Sequence, residues 1–131
     1  MMYGDEAMKH GEFTLATQLG KRGFFGKVVL SVDANGDAGT IKVDFDPDRA
    51  GEWQIGAQFG IDYVLDRIPR RKLFPRGATI HVESIQGHAV DTTNLVIAYA
   101  AANALLHALD IEGPETKKPT FDKEHGLFVF S

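Results

Sequence analysis

The sequence predicts an α+β domain, a mostly antiparallel sheet with two helices packed on one face. Three observations carry this. Apolar and polar residues alternate through Glu12–Leu19 and Thr40–Phe45, and again through Ala78–Ile85, the two-residue period of half-buried strands, and Lys27–Val32 is a β-branched apolar run. Over residues 53–68, and again from about Asp91 to Leu109, the apolar period lengthens to that of a helix. The resulting order, β-β-β-α-β-α-β, puts strands first and helices later, which favours segregated layers over a parallel α/β fold.

Each element has a local reason. Residues 1–11 mix acids and bases before any apolar run and read as a loose arm, leaving residues 12–131 as one domain. Phe13, Leu15 and Leu19 sit among Thr and Gln as on a half-buried strand. Gly20, Gly23 and Gly26 then mark residues 20–26 as a loop. Lys27–Val32 is β-branched and apolar, and Thr40–Phe45 alternates Ile41, Val43 and Phe45 with Lys42 and Asp44. Between them Asn35-Gly36 tolerates positive φ at both positions, which predicts a hairpin joining these two strands.

Beyond Pro47, residues Trp53, Gly56, Gly60 and Val64 recur at helical spacing up to Ile68, and Pro69 stops the helix. Gly56 and Gly60 lay a smooth stripe along it, suited to close approach to the sheet, at a cost of about 1 kcal/mol per glycine relative to Ala. Ala78–Ile85 is a strand with Ile80 and Val82 inward, Gly87-His88 turns the chain, and Asp91 is placed to cap the second helix. That helix, rich in Ala and apolar nearly all round, should be buried. Pro114 and Pro119 flank a polar connection, and residues 127–130 form a closing strand.

Composition excludes several classes. The chain has 131 residues, no cysteine and a formal charge of −4, enough length to bury a core without a disulfide or metal staple. Without Cys there is no zinc ribbon, Fe–S cluster or thiol nucleophile, and nothing suggests an oxidising compartment. The first residues lack the basic-then-apolar order of a secretory signal, and the longest apolar stretch, Leu95–Leu109, is too short to span a bilayer. The reading is a soluble cytoplasmic protein without a membrane role.

Three segments, in order, resemble domain IV of translation elongation factor G and the related ribosomal-protection factors. Arg22-Gly23-Phe24-Phe25-Gly26 running into Lys27-Val28-Val29-Leu30 is similar to the family's Arg-Gly-x-Tyr/Phe-Gly loop and buried strand. Phe59-Gly60-Ile61 resembles the Lys-Gly-Ile step of its first helix. Gly87-His88-Ala89-Val90-Asp91-Thr92-Thr93, followed by the alanines from Ala98 to Ala102, resembles its His-x-Val-Asp-Ser-Ser turn and Ala-rich helix. The resemblance spans roughly residues 12–130. It implies a left-handed βαβ crossover, which composition alone would not suggest. It also implies that two loops meet at one tip, Lys21, Arg22, Gly23, Phe24 and Gly26 from one and Gly87, His88, Asp91 and Thr92 from the other. In the family that tip enters the ribosomal decoding centre. No Gly-x-x-x-x-Gly-Lys-Ser/Thr segment is present, so this chain carries no GTPase of its own.

Arg67, Arg70, Arg71, Lys72 and Arg76 place five cations within ten residues, with no acid among them and Phe74 interleaved as a stacking platform. Phosphate contact needs such a cluster. Together with Lys21 and Arg22 in the glycine loop, these are the candidate RNA-binding residues. His88 and Asp91 read as turn and cap residues rather than an acid–base pair, for no nucleophile stands in frame. Asp33-x-Asn35-x-Asp37 departs from a calcium loop at its glycine and glutamate positions, and His10, His81, His107 and His125 show no metal-ligand spacing. No catalytic residue, metal or cofactor is expected. The functional expectation is a non-enzymatic module that binds the ribosome or structured RNA. The alternative is a protein-interaction or homo-oligomer-forming domain, in which the acidic 33–52 face docks the basic loop of another subunit.

Overall fold

A computed structural model describes residues 8–37, 39–110 and 118–130. Strand β1 (Met8–Leu19) and strand β2 (Arg22–Asp33) form a long antiparallel hairpin, from Met8 opposite Asp33 to Leu19 opposite Arg22. Its turn is Gly20-Lys21, with Gly20 at φ +61°, a conformation that costs little only without a Cβ. Most of the glycine-rich segment expected as a loop is therefore strand, with Phe24, Gly26 and Val28 alternately buried. Residues 8–11 of the expected arm likewise belong to β1, and residues 1–7 lie outside the described residues.

Strand β3 (Ile41–Phe45) does not form the expected hairpin with β2. Strand β4 (Ala78–Gln86) lies between them, antiparallel to β2 and parallel to β3, so the sheet order is β1-β2-β4-β3. Burial explains the choice. Leu30 of β2 and Ile80 and Val82 of β4 are 0% exposed and need central positions, whereas the short β3, with Lys42 and Asp44 exposed, suits an edge. Asn35-Gly36 still turns the chain, with the Asn35 N–H donating to the Asp33 carboxylate at 3.1 Å, but the turn leads to the far edge of the sheet.

Helix α1 (Gln54–Leu65) makes the crossover from β3 to β4, followed by the one-turn helix α2 (Arg70–Leu73) inside the expected loop. Helix α3 (Asn94–Leu109) then covers β1 and β2. Its N-cap is Thr93, whose hydroxyl accepts from the Val96 N–H at 3.2 Å; Asp91, the expected cap, lies two residues too early. Gly56 and Gly60 face α3 rather than the sheet: a Cβ on Gly60 would collide with the Ala98 carbonyl oxygen, and one on Gly56 with that of Asn94. The two helices thus touch backbone to backbone on one face of the sheet, and Ile61, Val64, Ile97 and Leu105 fill the core between.

The closing segment forms its own two-stranded sheet, β5 (Thr120–Asp122) with β6 (Leu127–Val129), instead of joining the main one. Phe121 and Phe128 pack edge-on to Phe24, with ring centroids 5.1 and 6.0 Å away. The connection expected around Pro114 lies outside the described residues. Among the described residues no helix is long and apolar enough to cross a membrane.

Candidate functional site

The sheet separates the two basic clusters. Lys21 and Arg22 lie at the start of β2, whereas Arg76 precedes β4, whose Thr79 pairs with Asp33 at the other end of β2. The 12 residues of β2 place these ends roughly 36 Å apart at about 3.3 Å per residue. One continuous patch holding every candidate cation is thereby ruled out.

At the first end, the two segments expected to share a tip are brought together. Thr92 is buried; its hydroxyl donates to the Phe25 carbonyl at 2.6 Å and accepts from the His88 N–H at 2.6 Å. The Phe25 N–H in turn donates to the Asp91 carbonyl at 3.0 Å. The Phe25 and His88 rings lie 4.5 Å apart, a contact that nothing in the sequence singled out. Glycines make the approach possible: a Cβ on Gly23 would lie 2.8 Å from an Asp91 carboxylate oxygen, and one on Gly87 2.6 Å from the Thr92 hydroxyl. Gly26 has the same role beneath Val96. Lys21 and Arg22 are exposed at the rim, with the Arg22 guanidinium 4.8 Å from the centroid of the Phe24 ring.

At the other end, Arg70, Arg71, Lys72 and Arg76 are all exposed, and among the described residues none of them forms a salt bridge. Helix α2 holds three of them on a fixed turn. The Lys72 and Leu73 N–H groups donate to the Pro69 carbonyl at 3.0 and 2.9 Å, and the Phe74 N–H to the Arg70 carbonyl at 2.7 Å. Phe74 is 5% exposed and belongs to the core, so it anchors the turn and offers no free ring for stacking. Arg67 points elsewhere: its guanidinium lies 3.8 Å from the centroid of the Tyr63 ring and donates to the Tyr63 carbonyl at 3.0 Å, at the end of α1. Arg70 and Arg71 border a concavity floored by Phe74 and Pro75 and closed by Gly39 and Ile41.

Three of the six carboxylates of the acidic 33–52 face, those of Asp33, Asp44 and Asp46, are engaged locally. Asp46 accepts from the Asp48 and Arg49 N–H groups, both at 2.9 Å, and the Arg49 bond first and the Asp48 bond second hold its carboxyl below the usual range. Asp44 contacts the His81 ring. Asp122, Glu124 and His125 cluster at the β5–β6 turn, where Asp122 accepts from the His125 ring at 2.8 Å and from the Glu124 N–H at 2.9 Å, bonds that fold the turn itself.

No protein-family model matches this chain, and no curated protein sequence matches it either. Solved structures do share its architecture. The crystal structure of ttk003000868 from Thermus thermophilus aligns over 79% of this chain with a TM-score of 0.63 and 21% identity. This chain spans 16% of that protein's length. Likeness at this identity shows a common fold.

Proposed function

We propose that the chain is a non-enzymatic RNA-binding module, built on the plan of elongation factor G domain IV, that contacts ribosomal or other structured RNA. One observation carries the reading: four exposed cations without salt bridges among the described residues, three of them on a one-turn helix pinned by a buried phenylalanine. A turn whose backbone is already folded need not be ordered on meeting phosphate, and release of the RNA's counterions supplies the driving force. The Lys21–Arg22 rim, stiffened by the Thr92 bridge, supplies a second contact at the opposite end. Two contacts this far apart suit a folded RNA or a ribosomal cleft better than a short single strand.

Binding to purified ribosomes and to a structured ribosomal RNA fragment, measured across a salt series, tests this. The wild-type chain should bind at low salt and weaken steeply as salt rises. Changing Arg70, Arg71 and Lys72 to Ala should flatten the log–log salt dependence by roughly 2 to 3, near 0.9 per phosphate contact on duplex scales. An unchanged slope and affinity in that triple variant would remove the basis of the reading.

A further inference from the structure

The outer edge of β3 has a sequence that complements itself. Thr40 accepts from the Ala78 N–H at 3.0 Å and the Asp46 N–H donates to Val82 at 2.9 Å, so the even-numbered residues of this strand turn their backbone polar groups toward β4. Ile41, Val43 and Phe45 must then direct their N–H and C=O groups away from the sheet, and no described residue bonds them there. Their side chains lie on the helix-covered face, while Lys42 and Asp44 project on the other.

We infer that a second copy of this chain pairs with this edge, β3 against β3 and antiparallel, about a two-fold axis through Val43. In that register Val43 faces Val43 of the partner as a hydrogen-bonded pair, and Ile41 faces Phe45 twice, so every outward backbone group finds a partner. Lys42 falls opposite Asp44 at the two non-hydrogen-bonded positions, where cross-strand side chains come closest. A lone lysine on a short edge strand deters pairing, but a lysine and an aspartate flanking the centre favour self-pairing in one register only. The axis leaves both α1 helices on the same face of the joined eight-stranded sheet. Ile55 and Phe59, 79% and 49% exposed beside Phe45, then turn toward the partner's α1 and lose water. This interface uses neither basic end, so it stands independently of RNA binding.

Charge reversal gives a sharp test. Both Lys42 and Asp44 are exposed, and Asp44 gives up only a surface contact with the His81 ring, so Lys42→Glu and Asp44→Lys should both fold normally by circular dichroism. Each alone sets like charges opposite one another twice and should weaken dimerisation, read by sedimentation equilibrium, by roughly tenfold. Mixing the two variants in equal amounts restores opposite charges at both positions and should bring the affinity back as a heterodimer. In the wild type, amide exchange at Val43 should slow as protein concentration rises. A wild-type chain that stays monomeric into the millimolar range overturns the inference. So does a dimer that ignores both substitutions, a mixture no tighter than its components, or Val43 exchange independent of concentration.

Discussion

The Thr92 hydroxyl donates to the Phe25 carbonyl at 2.6 Å, joining segments 67 residues apart. The same oxygen accepts from the His88 N–H, so one buried side chain satisfies backbone groups of both segments of the tip. Replacing Thr92 with Val keeps the shape and leaves a carbonyl and an N–H unpaired. Loss of about 1–3 kcal/mol is expected in denaturant unfolding, with Thr92→Ser recovering most of it. Equal stability of the valine variant would show that water replaces the bridge.

Gly60 lies where α1 crosses α3, and a Cβ there meets the Ala98 carbonyl oxygen. Helix propensity alone favours Gly60→Ala by about 1 kcal/mol. Overpacking costs about 1–3 kcal/mol and should win, because the obstacle is backbone and cannot rotate away. The melting temperature should therefore fall; a rise would mean that the helices can separate at little cost.

Phe74 and Arg70 are close in sequence and opposite in role. Phe74→Ala should cost about 3–5 kcal/mol of stability, as expected for a buried aromatic. Arg70→Ala should stay within about 0.5 kcal/mol of wild type, being exposed. Urea titrations of the two variants compare them directly, and comparable losses would contradict the anchoring role.

Asp122 is held below its usual range, first by the His125 ring and then by the Glu124 and His125 N–H groups. A depressed folded pKa means that the carboxylate contributes stability above its unfolded value, near 3.9, and that this is lost as pH falls through the lower folded value. The Gly126 N–H, bonded to the Asp122 carbonyl at 2.8 Å, reports on the turn. Its hydrogen-exchange protection should drop below about pH 4 relative to the core amides. In Asp122→Asn that extra drop should be absent.

Much of the architecture was legible from local pattern. The alternation in Ile41, Val43 and Phe45 and the alanines of α3 each carried one structural meaning, because side-chain period is a local property, whereas the Gly56–Gly60 spacing marked a close approach without its partner, which is α3 and not the sheet. The meeting of the two tip segments was expected only from a resemblance, and Phe25 was missed there because an aromatic in a strand carries no mark of the ring it will meet. The cap on α3 was misplaced by two residues because Asp91 and Thr93 are both good capping residues, and the Phe25 N–H holds the Asp91 carbonyl while the Thr93 hydroxyl caps the helix.

Residue periodicity and composition by themselves determined that this chain folds as α+β, that its helices pack closely and that its charges fall in opposed blocks. Tertiary structure alone decided that β4 displaces β3 from the side of β2, and hence that the basic clusters stand at opposite ends and that β3 becomes the edge strand among the described residues. The physical reason is that a turn such as Asn35-Gly36 specifies only a reversal of direction. Which strand then becomes a neighbour depends on burying Leu30, Val32, Ile80 and Val82 together, and a longer connection costs little more in closure entropy.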